Sequence, residues 1–405
     1  MRPQETLRAY LRLAMTPGLG PVLIERSVAV FGSPEDVLCA SPADLAQIRG
    51  VGENKARSIA AGFAQSAALA DRELVAAERG GAAIHVKGQP GYPLLLSGIP
   101  SAPTILYVKG RLDAERDRFS VAIVGSRLCT AYGLEQAERF SAQLGQAGLT
   151  IVSGGARGID TAAHRAAVRA KARTIVVAGC GLNHAYPPEN AELFERIVAE
   201  DLGAVVSELP MDASPSPENF PARNRIISGL ALGVLVIEAG RGSGALITAR
   251  LAAEEHSREV MALPGRVDSP SSEGALELLK AGGAALVTNP ADVLDLLESP
   301  ARFLHAGLHE ARFAPAPPTT DSAEGKLVKQ RTAALASVAL PGPGAVDLTE
   351  TQRRIVEALA EPKSIDELAR TTGLEAGRLL ADTTMLEIRR VIVRNGALLV
   401  RRTPR

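Results

Sequence analysis

The chain has 405 residues, 46% apolar and 22% charged, with acids and bases in equal number and no net charge. Its length predicts two to four domains, and its apolar content is enough for a sizeable core. Zero net charge excludes capture of a polyanion by a global field, so any such partner must be met by local basic clusters.

No apolar run approaches the roughly 18 residues of a membrane span. The N-terminal MRPQETLRAYLRLAM carries charges inside its apolar stretch and lacks a small-residue cleavage pattern, so it does not read as a signal peptide. The cysteines Cys39, Cys129 and Cys180 are widely separated and show no metal-ligand spacing, which fits a reducing compartment. A cytoplasmic protein is expected. Only eight of the bases are Lys; the excess of Arg suits bidentate phosphate contacts, or reflects the base composition that also favours Ala and Gly.

Residues 1–80 read as a helical domain. Two glycine turns, Pro17-Gly18-Leu19-Gly20 and Gly50-Val51-Gly52, each precede an apolar-periodic segment, and a further helical stretch spans Ala68 to Gly80. The pattern resembles a helix-hairpin-helix, or SAM-like, domain, whose turns aim backbone amides at nucleic-acid phosphate with Lys55 and Arg57 nearby. Helix-packing turns in a small accessory domain are the competing, plainer reading. A Pro- and Gly-rich segment follows from Gly88 to Pro103.

Strand and helix signals alternate from Thr104 to about Leu297, as in a doubly wound α/β domain with a parallel sheet. Strands are predicted at Ile105–Val108, Val121–Val124, Thr150–Val152, Thr174–Ala178, Ala204–Ser207, Val234–Ile237, Glu259–Ala262 and Ala284–Val287, with helices including Ala191–Glu200 and Ala245–His256. Near-continuous Val and Ile in the central strands points to burial on both faces. Residues 299–347 contain APAPPTT and LPGPG without period, and read as a flexible linker.

The pattern resumes at 348–405 as a winged helix-turn-helix. One helix is predicted at Gln352–Ala360, and a capping box at Ser364–Glu367 opens the second. The turn is Thr372-Gly373-Leu374, the third helix spans Glu375–Ile388, and a two-stranded wing covers Val391–Val400. The third helix offers bases little beyond Arg378 beside Glu375. From Ile388 onward, however, there are six Arg and no acid, so the wing suits phosphate. A protein-docking module fits the same pattern.

In an open parallel sheet the loops at the carboxyl ends of strands line the ligand crevice. Here those loops offer Gly125-Ser126-Arg127, then Ser153-Gly154-Gly155 with Arg157, then Phe220 with Arg223-Asn224-Arg225 ahead of a helix. A fourth is the glycine turn Gly240–Gly244 with Ser243. Hydroxyls, backbone N–H groups and guanidinium forks suit phosphates in series, and Phe220 can stack on a base.

No dinucleotide fingerprint or P-loop is present. Nucleophilic hydrolysis would require Ser126, Ser153 or Cys180 to meet His164 or His184 and an acid; Asp160 as a helix cap and His164 as a packed side chain is the competing reading.

Five motifs in order carry a family resemblance. They are GSR(x)4YG at Gly125–Gly133, SGGARGID(x)3H at Ser153–His164, YPPEN at Tyr186–Asn190, FPxRNRIISGL at Phe220–Leu230 and GSGALITA at Gly242–Ala249. Together they resemble the DNA-processing protein A (DprA/Smf) family. The resemblance implies an extended Rossmann-like domain, here 90–298, flanked by the helical domain and the winged helix. It also implies a non-enzymatic, cofactor-free homodimer that binds and protects single-stranded DNA and loads a RecA-type recombinase during natural transformation.

The family's DNA pocket involves its GSR loop, which here puts Gly125, Ser126 and Arg127 against phosphate. Motif matching extends the site to Gly154, Gly155, Arg157, Arg223, Asn224, Arg225 and Ser243. Two other readings remain open: a nucleotide-hydrolysing enzyme resembling the phosphoribohydrolases, with Glu238 and the Gly240–Gly244 turn catalytic, and a transcription regulator led by the winged helix.

Overall fold

The computed structural model describes residues 3–305, 350–359, 363–372, 374, 383, 392–395 and 398–401. They fall into two units, one ending near residue 304 and the other holding the C-terminal elements.

The first unit opens with helices α1 (Pro3–Ala14), α2 (Pro21–Phe31), α3 (Pro34–Cys39), α4 (Pro42–Leu45) and α5 (Glu53–Arg79). Both glycine turns have the same build. Gly18 and Gly50 take φ of +84° and +94°, which side-chain-bearing residues rarely adopt. Leu19 and Val51 then plug the core, and Gly20 and Gly52 are the N-caps of α2 and α5. The helix expected from Ala68 is the second half of α5, which runs unbroken for 27 residues. Its first half closes a small core with Leu13, Ile24, Leu45 and Ile48, and its second half lays Ala70 and Ala77 against the sheet.

The sheet has nine strands: β1 (Ala82–Val86), β2 (Ile105–Gly110), β3 (Ser120–Val124), β4 (Thr150–Ser153), β5 (Thr174–Val177), β6 (Gly203–Ser207), β7 (Gly233–Val236), β8 (Glu259–Ala262) and β9 (Ala285–Leu286). Their order is β1-β2-β6-β5-β4-β3-β7-β8-β9. From β6 to β9 every pairing is parallel, as expected, but β1 pairs antiparallel with β2 and β2 antiparallel with β6. The sheet is therefore mixed. The link between β1 and β2 holds only the one-turn α6 (Leu94–Ser97), too little for the crossover helix that parallel pairing needs. Strand β1 has weak sequence signal, because Ala82, Ala83 and His85 are not strand formers.

The remaining helices are α7 (Ala131–Gln146), α8 (Ile159–Arg169), α9 (Ala191–Ala199), α10 (Asn219–Gly229), α11 (Gly244–Arg250), α12 (Glu273–Lys280) and α13 (Pro290–His305). Alternation along the strands sorts them into two layers. Val121, Ile123 and Ile151 face α7, α8 and α13, whereas Ala122, Val124 and Val152 face α10, α11 and α12. Helix α11 runs on into a π-turn at Leu251–Glu255. Helix α13 extends seven residues into the stretch expected to be linker, and residues 306–347 of that stretch lie outside the described residues.

In the second unit α14 (Glu350–Ala358) and α15 (Ile365–Thr372) bury Ile355, Val356 and Leu368, and Arg354 donates to the Thr372 carbonyl at 2.6 Å. Strands β10 (Lys363–Ser364), β11 (Ile392–Asn395) and β12 (Leu398–Arg401) form an antiparallel sheet in the order β10-β12-β11. The wing thus has its two expected strands plus a third at Ser364. The third helix, with Glu375 and Arg378, lies outside the described residues.

Candidate nucleic-acid interface

From β3 the chain winds outward through β4, β5 and β6, then returns to lay β7 on the other side of β3. The carboxyl ends of β3 and β7 therefore open a crevice at a switch of strand order, where ligands bind in sheets of this kind. A cleft of about 600 Å³ lies there. It is lined by Gly125–Leu128, by Phe220, Arg223, Asn224 and Ile227 of α10, and by Gly240–Ala245 with Ile247 and Thr248, with Asp160 and Tyr186 at its side. The lining holds three arginines, Arg127, Arg223 and Arg241, and one carboxylate, Asp160; Arg241 is already paired with Glu277 at 2.6 Å and Glu273 at 3.4 Å, both outside the lining.

The β3 loop is rigid. The Ser126 N–H donates to the Glu238 carbonyl at 2.7 Å, the Ile159 N–H donates to the Ser126 carbonyl at 3.3 Å, and the Leu128 N–H donates to Ser126 Oγ at 3.1 Å. Any Cβ at Gly125 would overlap Ile159 and the Glu238 carbonyl, so this glycine is needed for close approach. Ser126 accepts through Oγ and keeps its own O–H to donate. Arg127 is exposed, with its guanidinium 5.4 Å from the centre of the Phe220 ring. Tyr186 meets the same ring at 5.4 Å, centre to centre.

Glu238 is only 2% exposed, and its two carboxylate oxygens accept from the Thr130 N–H at 2.8 Å and the Thr130 hydroxyl at 2.6 Å. Both oxygens are committed to clasping the β3 and β7 loops together. That is structural employment, and it argues against Glu238 as the catalytic acid of a nucleotide hydrolase.

The Ser153–Asp160 loop satisfies itself. Asp160 Oδ2 accepts the N–H groups of Gly154 at 3.1 Å and Ala156 at 3.3 Å, so the Gly154 amide expected to meet phosphate already holds an internal anion. Burial raises the Asp160 carboxyl to about 6, with Arg223 and these amides pulling it back down. Gly155, at φ +66°, backs onto Val176 and Phe194, and its carbonyl accepts from Asn190 Nδ2 at 3.0 Å. Arg157 projects outward, paired with Glu189, and lines a side pocket that it shares with Arg127, Gly154, Tyr186, Phe220 and Arg223.

Helix α10 begins at Asn219, so Arg223, Asn224 and Arg225 lie within a helix and not ahead of one. Its periodicity puts Phe220, Arg223, Asn224 and Ile227 on one face and Arg225 on another. Arg223, 5% exposed, is a floor to the cleft: its Nη1 donates to the Val177 carbonyl and, at 2.6 Å, to the Gly154 carbonyl. Burial lowers its pKa to about 10, which still leaves it charged at neutral pH. Asn224 Nδ2 donates to the Gly244 carbonyl at 3.2 Å, joining α10 to the glycine loop. Arg225 leaves the site: it is bound to Glu208 and donates to the Ser101 carbonyl at 2.9 Å.

In the last loop, Gly242 takes φ +72° and the Ser243 hydroxyl accepts the Ala245 N–H at 3.3 Å, capping α11. Arg241, Tyr186 and Thr248 also line the cleft. All three fall in or beside motifs visible in the sequence, but nothing there fixes which way they face.

The hydrolase constellation does not assemble. Ser153 Oγ donates to the Ile123 carbonyl at 2.6 Å, Cys180 Sγ to the His184 carbonyl at 3.4 Å, and buried His164 meets Thr174 Oγ1 through Nδ1 at 2.7 Å. No group of three or more metal-ligating side chains occurs among the described residues, and no described helix is long and apolar enough to cross a membrane.

The model of the family described as DNA recombination-mediator protein A matches residues 83–298, across the whole cleft. The chain belongs to this family. A SAM-like helix-hairpin-helix tandem matches residues 10–64, and the DprA winged helix domain matches 339–396. Protein Smf of Synechocystis is 36% identical over 389 residues, 94% of each chain. DNA processing protein DprA of Streptococcus pneumoniae is 45% identical over 203 residues, covering 50% of this chain and 70% of that one. The crystal structure of the Streptococcus pneumoniae DprA superposes with a TM-score of 0.60 at 35% identity, over 71% of this chain and 95% of that chain.

Proposed function

We propose that this DprA/Smf-family chain grips single-stranded DNA by its phosphates in the cleft between the β3 and β7 loops. It thereby protects the strand and presents it to a RecA-type recombinase in natural transformation and recombination. The observation that carries the reading is the meeting of Arg127 and Arg223 at one crevice with the Ser126 hydroxyl on the same lining; Arg241, on that lining too, contributes when phosphate displaces its exposed partners Glu273 and Glu277. A cleft of this size admits a nucleotide or two of an unpaired strand. A duplex keeps its bases stacked inside and can offer the cleft only its outer phosphates.

In this reading Gly125, Ser126, Arg127, Phe220, Arg223 and Asn224 form the site directly. Arg157 joins from the side pocket when phosphate displaces Glu189, since an exposed ion pair contributes only about 0–1 kcal/mol. Gly154, Gly155 and Ser243 shape the loops, and Arg225 supports α10 from behind. The protein acts as a cytoplasmic homodimer and as a binder, not an enzyme. The family assignment supports the recombination role, and the commitment of Glu238 to Thr130 supports binding without hydrolysis.

Competition between single- and double-stranded oligonucleotides of one sequence tests this. Unpaired strands should win by at least tenfold, with a log–log salt slope of about −0.7 for each phosphate engaged. Equal competition by duplex, or a slope near zero, overturns the reading.

A further inference from the structure

The cleft carries one feature that phosphate recognition does not use. Leu128, directly after Arg127 on the same lining, is 88% exposed. A lone exposed aliphatic residue is ordinary on a protein surface; what sets Leu128 apart is its place on the lining of the arginine cleft.

This one is not on a slack loop. Ser126 Oγ holds the Leu128 N–H at 3.1 Å, and the Ser126 N–H is fixed to the Glu238 carbonyl. Gly158 presses so closely on the Ser126 and Arg127 carbonyls that a Cβ there could not be accommodated. The backbone is therefore fixed at the mouth of the cleft, so binding need order only the Leu128 side chain itself.

The ring that would be the obvious base platform is already occupied. Phe220 has Arg127 over it, Tyr186 against it, and the backbone of Gly179 packed close to it.

Resting on the single-strand reading above, we propose that Leu128 is an apolar wedge that packs against, and partly separates, neighbouring nucleobases where the strand enters the cleft. The occupant is a nucleobase because the residue is continuous with the arginine-lined phosphate site. A strand held there by its backbone must direct its bases toward the rim. Apolar side chains inserted at base steps act in this way in other nucleic-acid complexes, and Leu contacts any base face, so no sequence preference follows.

The test uses the full chain and two oligonucleotides of one length, an oligothymidylate and the same backbone with abasic sites. Leu128→Ser should weaken oligothymidylate binding about three- to tenfold and leave the abasic strand unaffected. Leu128→Phe should retain affinity. Val267→Ser, at a residue equally exposed but outside the cleft lining, should change neither. With wild-type protein, 2-aminopurine at the entering position should brighten as its stack opens. An equal loss on both strands, or none on either, overturns the wedge while the single-strand reading stands. Reduced self-association in Leu128→Ser with both affinities intact assigns the residue to contact between copies, and also overturns it. Failure of the wild type to hold either strand overturns both readings.

Discussion

Arg127 and Arg225 both sit in family motifs, and the structure gives them opposite expected phenotypes. Arg127 is exposed and its ring contact with Phe220 contributes about 0.5–1 kcal/mol at most, so Arg127→Ala should barely shift the unfolding temperature. If its guanidinium meets a phosphate, the variant loses a charge-assisted hydrogen bond of about 1.5–3 kcal/mol, or roughly 10- to 150-fold in affinity. Its log–log salt slope should also become shallower by about 0.7, the share of one phosphate.

Arg225→Ala should behave in the reverse way. The Arg225 and Glu208 side chains are only 15% and 20% exposed, and removing the guanidinium strands the carboxylate. A stability loss of about 1.5–3 kcal/mol is expected, with the salt slope unchanged. Fluorescence anisotropy across a salt series, beside urea unfolding of the same preparations, measures both quantities. An Arg127→Ala protein with wild-type affinity and slope would refute the assignment of the cleft, and an Arg225→Ala protein that loses the slope instead would show that the wrong face of α10 had been chosen.

Two further expectations concern the loops. Asp160 is held above its ordinary 3.8, at about 6, by burial. The native state therefore binds its proton more tightly than the unfolded chain. The resulting stabilisation is fully present below pH 4 and lost as pH rises through 6, a difference of about 3 kcal/mol. Buried His164, lowered to about 3, has the opposite effect and loses stability as pH falls below its ordinary 6.5. The difference in unfolding free energy between wild type and Asp160→Asn isolates the first term, and should grow in favour of wild type from pH 7 to pH 4; a flat difference would refute the burial argument. At Gly133 an added methyl would strike the Glu238 carboxylate, so Gly133→Ala should loosen the clasp on Thr130 and cost about 1–3 kcal/mol by urea denaturation. Unchanged stability would mean that the clasp is slack.

Much of this protein was legible in its residues alone. Runs such as Val121–Val124 and Thr174–Val177 can satisfy their apolar content only inside a covered sheet, and each ends where glycine and polar residues take over. Strand positions and the loops that could meet a ligand follow from that local chemistry. So does the family, because its motifs are contiguous strings. The edge of the sheet was less legible: Ala82–Val86 has little strand propensity of its own and is made a strand by pairing with Ile105–Lys109.

Which groups face the ligand was decided by tertiary structure. The Gly154 amide, Arg157, Arg225 and Arg241 each look available in the sequence, yet Asp160, Glu189, Glu208 and Glu277 meet them first. An arginine's usefulness to a ligand depends on whether a carboxylate within reach has already neutralised it, and sequence separation says nothing about that reach. The phase of α10 likewise turns Arg223 into the cleft and Arg225 away, although they are two residues apart. Composition and local pattern supply the charges, and only the packed chain determines which of them are left for a partner.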